Sequence, residues 1–176
     1  MAAGYKWLGG PYTLGFLYLA EHLHAGVPLE ENWMNRAGSE DFARLTEYTD
    51  EYRPGAARYC MGELSNFANV AMANAALEQL LDWGIGTVAD YTDALVEPYW
   101  SRLAALGFAL PPTHARAPHL IGLPLGSYRG RAGLAERLTE ARVHVSFRGD
   151  YLRVSPHVTT RANDVEALLH VLTAGA

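Results

Sequence analysis

Two apolar stripes with a spacing of 3 or 4 residues fill the middle of the chain and fix what it can fold into. The first runs over residues 66–83 through Phe67, Val70, Leu77, Leu80 and Leu81, and Gly84 stops it. The second runs over residues 87–106 through Val88, Tyr91, Leu95, Tyr99, Leu103 and Leu106, with Gly107 behind it. That period predicts two amphipathic helices with glycine ends. Pro98 lacks an amide hydrogen and should bend the second.

After Pro111 and Pro112 the period shortens. Residues 119–125 predict a strand, residues 132–141 a helix through Leu134 and Leu138, and residues 142–147 and 151–155 two strands around Gly149. Asn163 and Glu166 have capping-box spacing ahead of a last helix through Val165, Leu168, Leu169 and Leu172. Strand, helix, strand, strand, helix makes a small α+β layer. Upstream, residues 15–19 predict a short buried strand, and residues 24–60 form a long irregular stretch of the kind that lines sites or subunit contacts. The division falls near residues 84–86, giving domains 1–85 and 86–176.

The 176 residues are 49% hydrophobic and 19% charged, enough to bury a core. A net charge of −5 with scattered arginines argues against nucleic acid and acidic membrane surfaces as partners. Lys6 followed by apolar residues has the outline of a signal peptide, but Gly9, Gly10, Pro11 and Gly15 interrupt it and no small-x-small site follows. No apolar run reaches the roughly 20 residues of a spanning helix. A single cysteine, Cys60, excludes a disulfide framework and fits a reducing, cytoplasmic setting.

Lys6 is the only lysine; the other 13 basic residues are arginines. Arginine serves wherever positive charge alone is needed, but only a primary amine condenses with an aldehyde. A partly desolvated lysine also loses its proton near neutral pH and becomes nucleophilic. Read from chemistry alone, Lys6 is equally a solvated terminal lysine in an arginine-biased composition.

The segment Gly4-Tyr5-Lys6-Trp7-Leu8-Gly9-Gly10-Pro11-Tyr12-Thr13-Leu14-Gly15-Phe16-Leu17-Tyr18 resembles the surroundings of the cofactor lysine in class V aminotransferases, a family of fold-type-I pyridoxal-phosphate enzymes. Two further stations follow in the family's order. Arg53-Pro54-Gly55 through Gly62-Glu63-Leu64-Ser65-Asn66-Phe67 resembles the loop before a large-domain helix. Arg148-Gly149-Asp150-Tyr151-Leu152-Arg153-Val154-Ser155-Pro156-His157 resembles the C-terminal strand. The resemblance implies an α/β fold: the end of a large cofactor domain plus a small α+β C-terminal domain. It implies pyridoxal 5'-phosphate as cofactor, an amino acid or related amine as substrate, and a homodimer or a complementing polypeptide as partner.

By the same resemblance Lys6 is the Schiff-base lysine and proton carrier, and Arg153 clamps the substrate carboxylate with its planar fork. Gly62 belongs to a loop that in relatives reaches a cofactor phosphate. Glu63 stands where they often carry threonine, and its charge would repel a phosphate, so the donor is expected from Ser65 or Asn66. The family's ring-binding aspartate and phosphate loop lie upstream of the lysine, where this sequence has only residues 1–5; the chain therefore resembles a C-terminal piece, either of an active enzyme or of a non-catalytic remnant.

Other residues admit two readings each. Arg153 is a clamp or an ion-pair partner of Asp150 or Asp164. Trp33 lines a substrate pocket or anchors a loop. His157 lines the site or closes a turn. His22 and His24 lack a third metal ligand at clear spacing, and no metal is expected. Residues 143–151, where desulfurases carry their cysteine, have none, so desulfuration by Cys60 is disfavoured.

Overall fold

A computed structural model describes residues 1–64 and 66–175. The chain is mixed α/β with two small antiparallel sheets, and its contacts divide it into two units, Met1–Asp82 and Trp83–Ala176. No described helix is long and apolar enough to cross a membrane.

In the first unit, β1 (Ala2–Ala3) pairs antiparallel with β2 (Gly15–Phe16), so the predicted strand over residues 15–19 is shorter than its apolar run and exposed on both residues. Between them lies the loop that carries Lys6. The Gly4 N–H donates to Leu14 O at 2.9 Å and the Gly10 N–H to Gly4 O at 2.8 Å. A Cβ on Gly4 would stand 2.8 Å from Leu14 O, which explains the glycine.

Residues 24–60 form short 3-10 turns around a polar hub in place of an apolar core. Asn35 is fully buried; its amide donates to Cys60 O at 3.0 Å and to Arg58 O, and its Oδ1 accepts from the Asn32 N–H at 3.1 Å. Arg36 reaches Glu31 at 2.6 Å and lies 4.5 Å over the Tyr52 ring.

Helix α1 (Phe67–Trp83) follows, with Asn66 Oδ1 accepting from the Asn69 N–H. Of its stripe only Leu80 is fully buried, together with Ala73, while Phe67 and Leu81 are 83% and 73% exposed. The period forms the helix, and among the described residues its apolar stripe is covered only in part.

The second unit holds the larger core. Helix α2 (Ile85–Val96) gives way to one 3-10 turn at Glu97–Tyr99 and then to α3 (Trp100–Ala105). The break is where Pro98 removes a donor, as the sequence requires. Strands β3 (Ile121–Pro124), β4 (Ser146–Arg148) and β5 (Tyr151–Val154) form a sheet in the order β3-β5-β4, all antiparallel. Helices α4 (Leu134–Glu140) and α5 (Ala162–Thr173) pack on one face through Leu134, Leu138, Leu168, Leu169 and Leu172 against Leu123 and Leu152. The cap of α5 lies two residues earlier than the Asn163 and Glu166 spacing suggests: the Asp164 carboxylate accepts from the Arg161 N–H at 2.8 Å. Glu166 instead takes a bidentate pair from Arg102, at 2.6 and 3.0 Å.

Candidate functional site

Lys6 sits at the tip of the glycine-closed loop. Its N–H and carbonyl are tied to Ala3 O at 3.5 Å and to the Gly9 N–H at 3.0 Å. The side chain is exposed, with Nζ 5.5 Å from the centre of the Tyr5 ring, which itself stacks on Tyr12 at 4.4 Å. This unit therefore does not shield the amine from solvent. The loop is fastened to the first turn of α1: the Asn69 amide donates to Tyr12 O at 3.1 Å and to Thr13 Oγ1 at 2.9 Å. Two sequence stations, the lysine segment and the Asn66 helix start, are thus joined within one unit.

Gly62 is half-buried, with a Cβ position that would meet the Asn32 side chain at 3.4 Å. Its N–H points at Glu30 Oε1, 3.4 Å away. A carboxylate thus stands where a phosphate acceptor would, and Glu63 beside it is exposed. Ser65 lies outside the described residues. Asn66 caps α1 and is exposed at the positive end of a 17-residue helix, where an anion is favoured. Trp33 is 46% exposed and makes an edge-to-face contact with Phe42 at 5.8 Å.

Arg153 belongs to the second unit. Cross-strand register puts it beside Gly122 and Ser146, on the sheet face opposite Leu123 and Leu152. Tyr151 on that face is 51% exposed. Both candidate acidic partners are taken: Asp150 pairs with Arg131 at 2.7 Å, and Asp164 caps α5. Among the described residues the Arg153 guanidinium has no hydrogen-bond or ion-pair partner, although its Nε is buried. The ion-pair reading of Arg153 is thereby replaced by that of an unused fork.

His24 turns its Nε2 to Leu19 O at 3.0 Å at the end of a 3-10 turn, away from strand geometry. His157 donates its backbone N–H to Thr160 Oγ1 at 3.0 Å. Sequence reasoning missed Asn35, because a buried amide in an aperiodic loop leaves no pattern, and it missed Glu30 for the same reason.

No protein-family model matches the chain, and no curated protein matches it in sequence.

Proposed function

We propose that this chain is the C-terminal part of a pyridoxal-phosphate-dependent enzyme of the class V aminotransferase type, acting on an amino acid or related amine. The observation that carries the reading in the structure is Arg153, a guanidinium with a buried Nε and no partner among the described residues, on the sheet face away from Leu123 and Leu152. An unpaired buried donor costs about 1–3 kcal/mol, and a bidentate carboxylate is the acceptor whose geometry matches the fork. The only lysine supports the same reading from the other unit, on a loop built by Gly4 and braced by Asn69.

The residues present fit the cofactor at its aldehyde side and in part at its phosphate side. Lys6 offers an accessible primary amine. Asn66 and the first turn of α1 offer a helix terminus for an anion. The Gly62 N–H, facing Glu30, does not. When bound, the cofactor supplies a carbonyl for the amine and an electron sink for the substrate α-carbon. Lys6 then holds or moves a proton there, while Arg153 orients the substrate through its carboxylate. The group that pairs the pyridine ring and the remaining phosphate donors come, in this reading, from a preceding segment or a complementing polypeptide. That second surface also removes water from Lys6.

A second reading, a non-catalytic remnant or docking subunit, is favoured by the thin apolar core of the first unit, where Ala73 and Leu80 are the core hydrophobic side chains buried among the described residues. One spectrum separates the two. Purified chain, with the upstream-encoded segment supplied, should gain visible absorption with pyridoxal phosphate, and Lys6→Arg should abolish it while keeping the charge. No band in the unaltered protein rejects the catalytic reading.

A further inference from the structure

Behind the sheet, on the face away from Arg153, the second unit holds a cavity of about 530 Å³. Its walls are mainly apolar, with Val96, Leu103, Leu123, Val154, Val165 and Leu168, and Thr159 and Thr160 also line it. The size falls within the usual range of small-molecule sites, roughly 300–1,000 Å³. A core of this kind normally closes such a space, because every unfilled wall loses dispersion contacts.

The polar side chains bordering the cavity are unevenly charged. Arg142 and His144 come from the segment after α4, and Ser155 and Asp164 from the opposite border. The Asp164 carboxylate is engaged by the Arg161 N–H. Arg142 and His144 are exposed at its rim, and among the described residues their side chains have no hydrogen-bond or ion-pair partner.

Arg142 is also in an unusual backbone position, with φ of 54°. It follows the end of α4 in a closed cap: the Val143 N–H donates to Leu138 O at 2.9 Å and the Arg142 N–H to Thr139 O at 3.0 Å. Glycine is the ordinary occupant of that left-handed position. The chain itself uses glycine in the equivalent cap of α3, where Gly107 has φ of 89° and the Phe108 N–H returns to Leu103 O. Local stability favours glycine at 142, and the arginine there needs another explanation. Rule-breaking residues concentrate at binding sites.

We propose that this cavity binds a small amphipathic carboxylate, with its aliphatic body between the sheet and α5 and its carboxylate on Arg142, assisted by His144 and the Ser155 hydroxyl. The apolar walls exclude a fully polar ligand. The unpaired guanidinium, with the single acidic group of the lining already engaged by a backbone donor, selects an anionic head over a cationic one. The site rests on the second unit alone and stands whether or not the chain handles pyridoxal phosphate.

Octanoate titrated into the full chain by calorimetry tests the assignment, with octanol as the uncharged control. One saturable octanoate site is expected. Arg142→Gly should weaken octanoate by roughly tenfold or more, the worth of one charge-assisted bond, and leave octanol unchanged. The same variant should melt at a higher temperature, since glycine relieves the positive φ, so its loss of binding cannot come from misfolding. Val165→Phe, checked by the same melt, should exclude both ligands. Absence of saturable octanoate binding, or equal octanoate affinity in Arg142→Gly, overturns the proposal.

Discussion

Arg102 and Glu166 show how far a single residue pair reaches. The guanidinium bonds hold the Glu166 carboxyl below its ordinary range, against the smaller opposing effect of burial. A group whose folded-state value is depressed contributes stability above its unfolded value, here the ordinary 4.5, and loses it as pH falls through the folded value. Glu166→Gln should therefore lower the melting temperature near neutrality. The difference from the unaltered protein should shrink as pH drops below about 4.5 and vanish in stronger acid. Both side chains are about half exposed, so the effect is expected to be small and salt-sensitive. Thermal melts across pH read it directly. Arg153 and Arg142 behave differently at this scale: among the described residues neither has an acidic partner to lose. Arg153 was named through the resemblance of residues 148–157 to a family strand, not through spacing. Arg142 left no pattern, because its meaning lies in a backbone angle and in the cavity that it borders.

At the scale of elements, the sheet of the second unit depends on β5, which pairs with both neighbours. Leu152 lies at its centre with no exposed area, opposite Leu123 and Phe147. Leu152→Ala should cost about 2–5 kcal/mol, read as a lower denaturation midpoint of the second unit. Helices α1, α2 and α3 were legible as periods of 3 or 4 residues, and the interruption between α2 and α3 was legible as Pro98. The strands were legible in position but shorter than their apolar runs: β4 is only Ser146–Arg148, because residues 142 and 143 close the cap of α4. Residues 24–60 were legible only as irregular. Their order comes from Asn35 and its backbone acceptors, a hub assembled from positions up to 25 residues apart. Burial along α1 was the one thing its periodicity could not give, since period sets which face is apolar and not what covers it.

The molecule as a whole exposes 11850 Å². Two separate compact bodies with this total mass of 19.3 kDa would expose about 10,200 Å². The excess, roughly 1,600 Å², is of the order that stable protein interfaces bury. Much of it is apolar and belongs to the first unit: Leu29, Tyr48 and Phe67 each stand more than 80% exposed. Surface of this kind marks a contact region or drives association. Size-exclusion chromatography with light scattering should accordingly return a dimer or larger species, and a clean monomer at micromolar concentration would argue against an assembling surface. The central claim concerns one amine, and the composition makes it unusually easy to isolate: the chain has a single ε-amino group besides its terminal α-amino group. Borohydride reduction after incubation with pyridoxal phosphate, followed by peptide mass mapping, tests the claim directly. The account predicts a stable phosphopyridoxyl adduct on Lys6, in preference to Met1 and suppressed by Gly4→Ala; label confined to Met1, or none above an unfolded control, would contradict it.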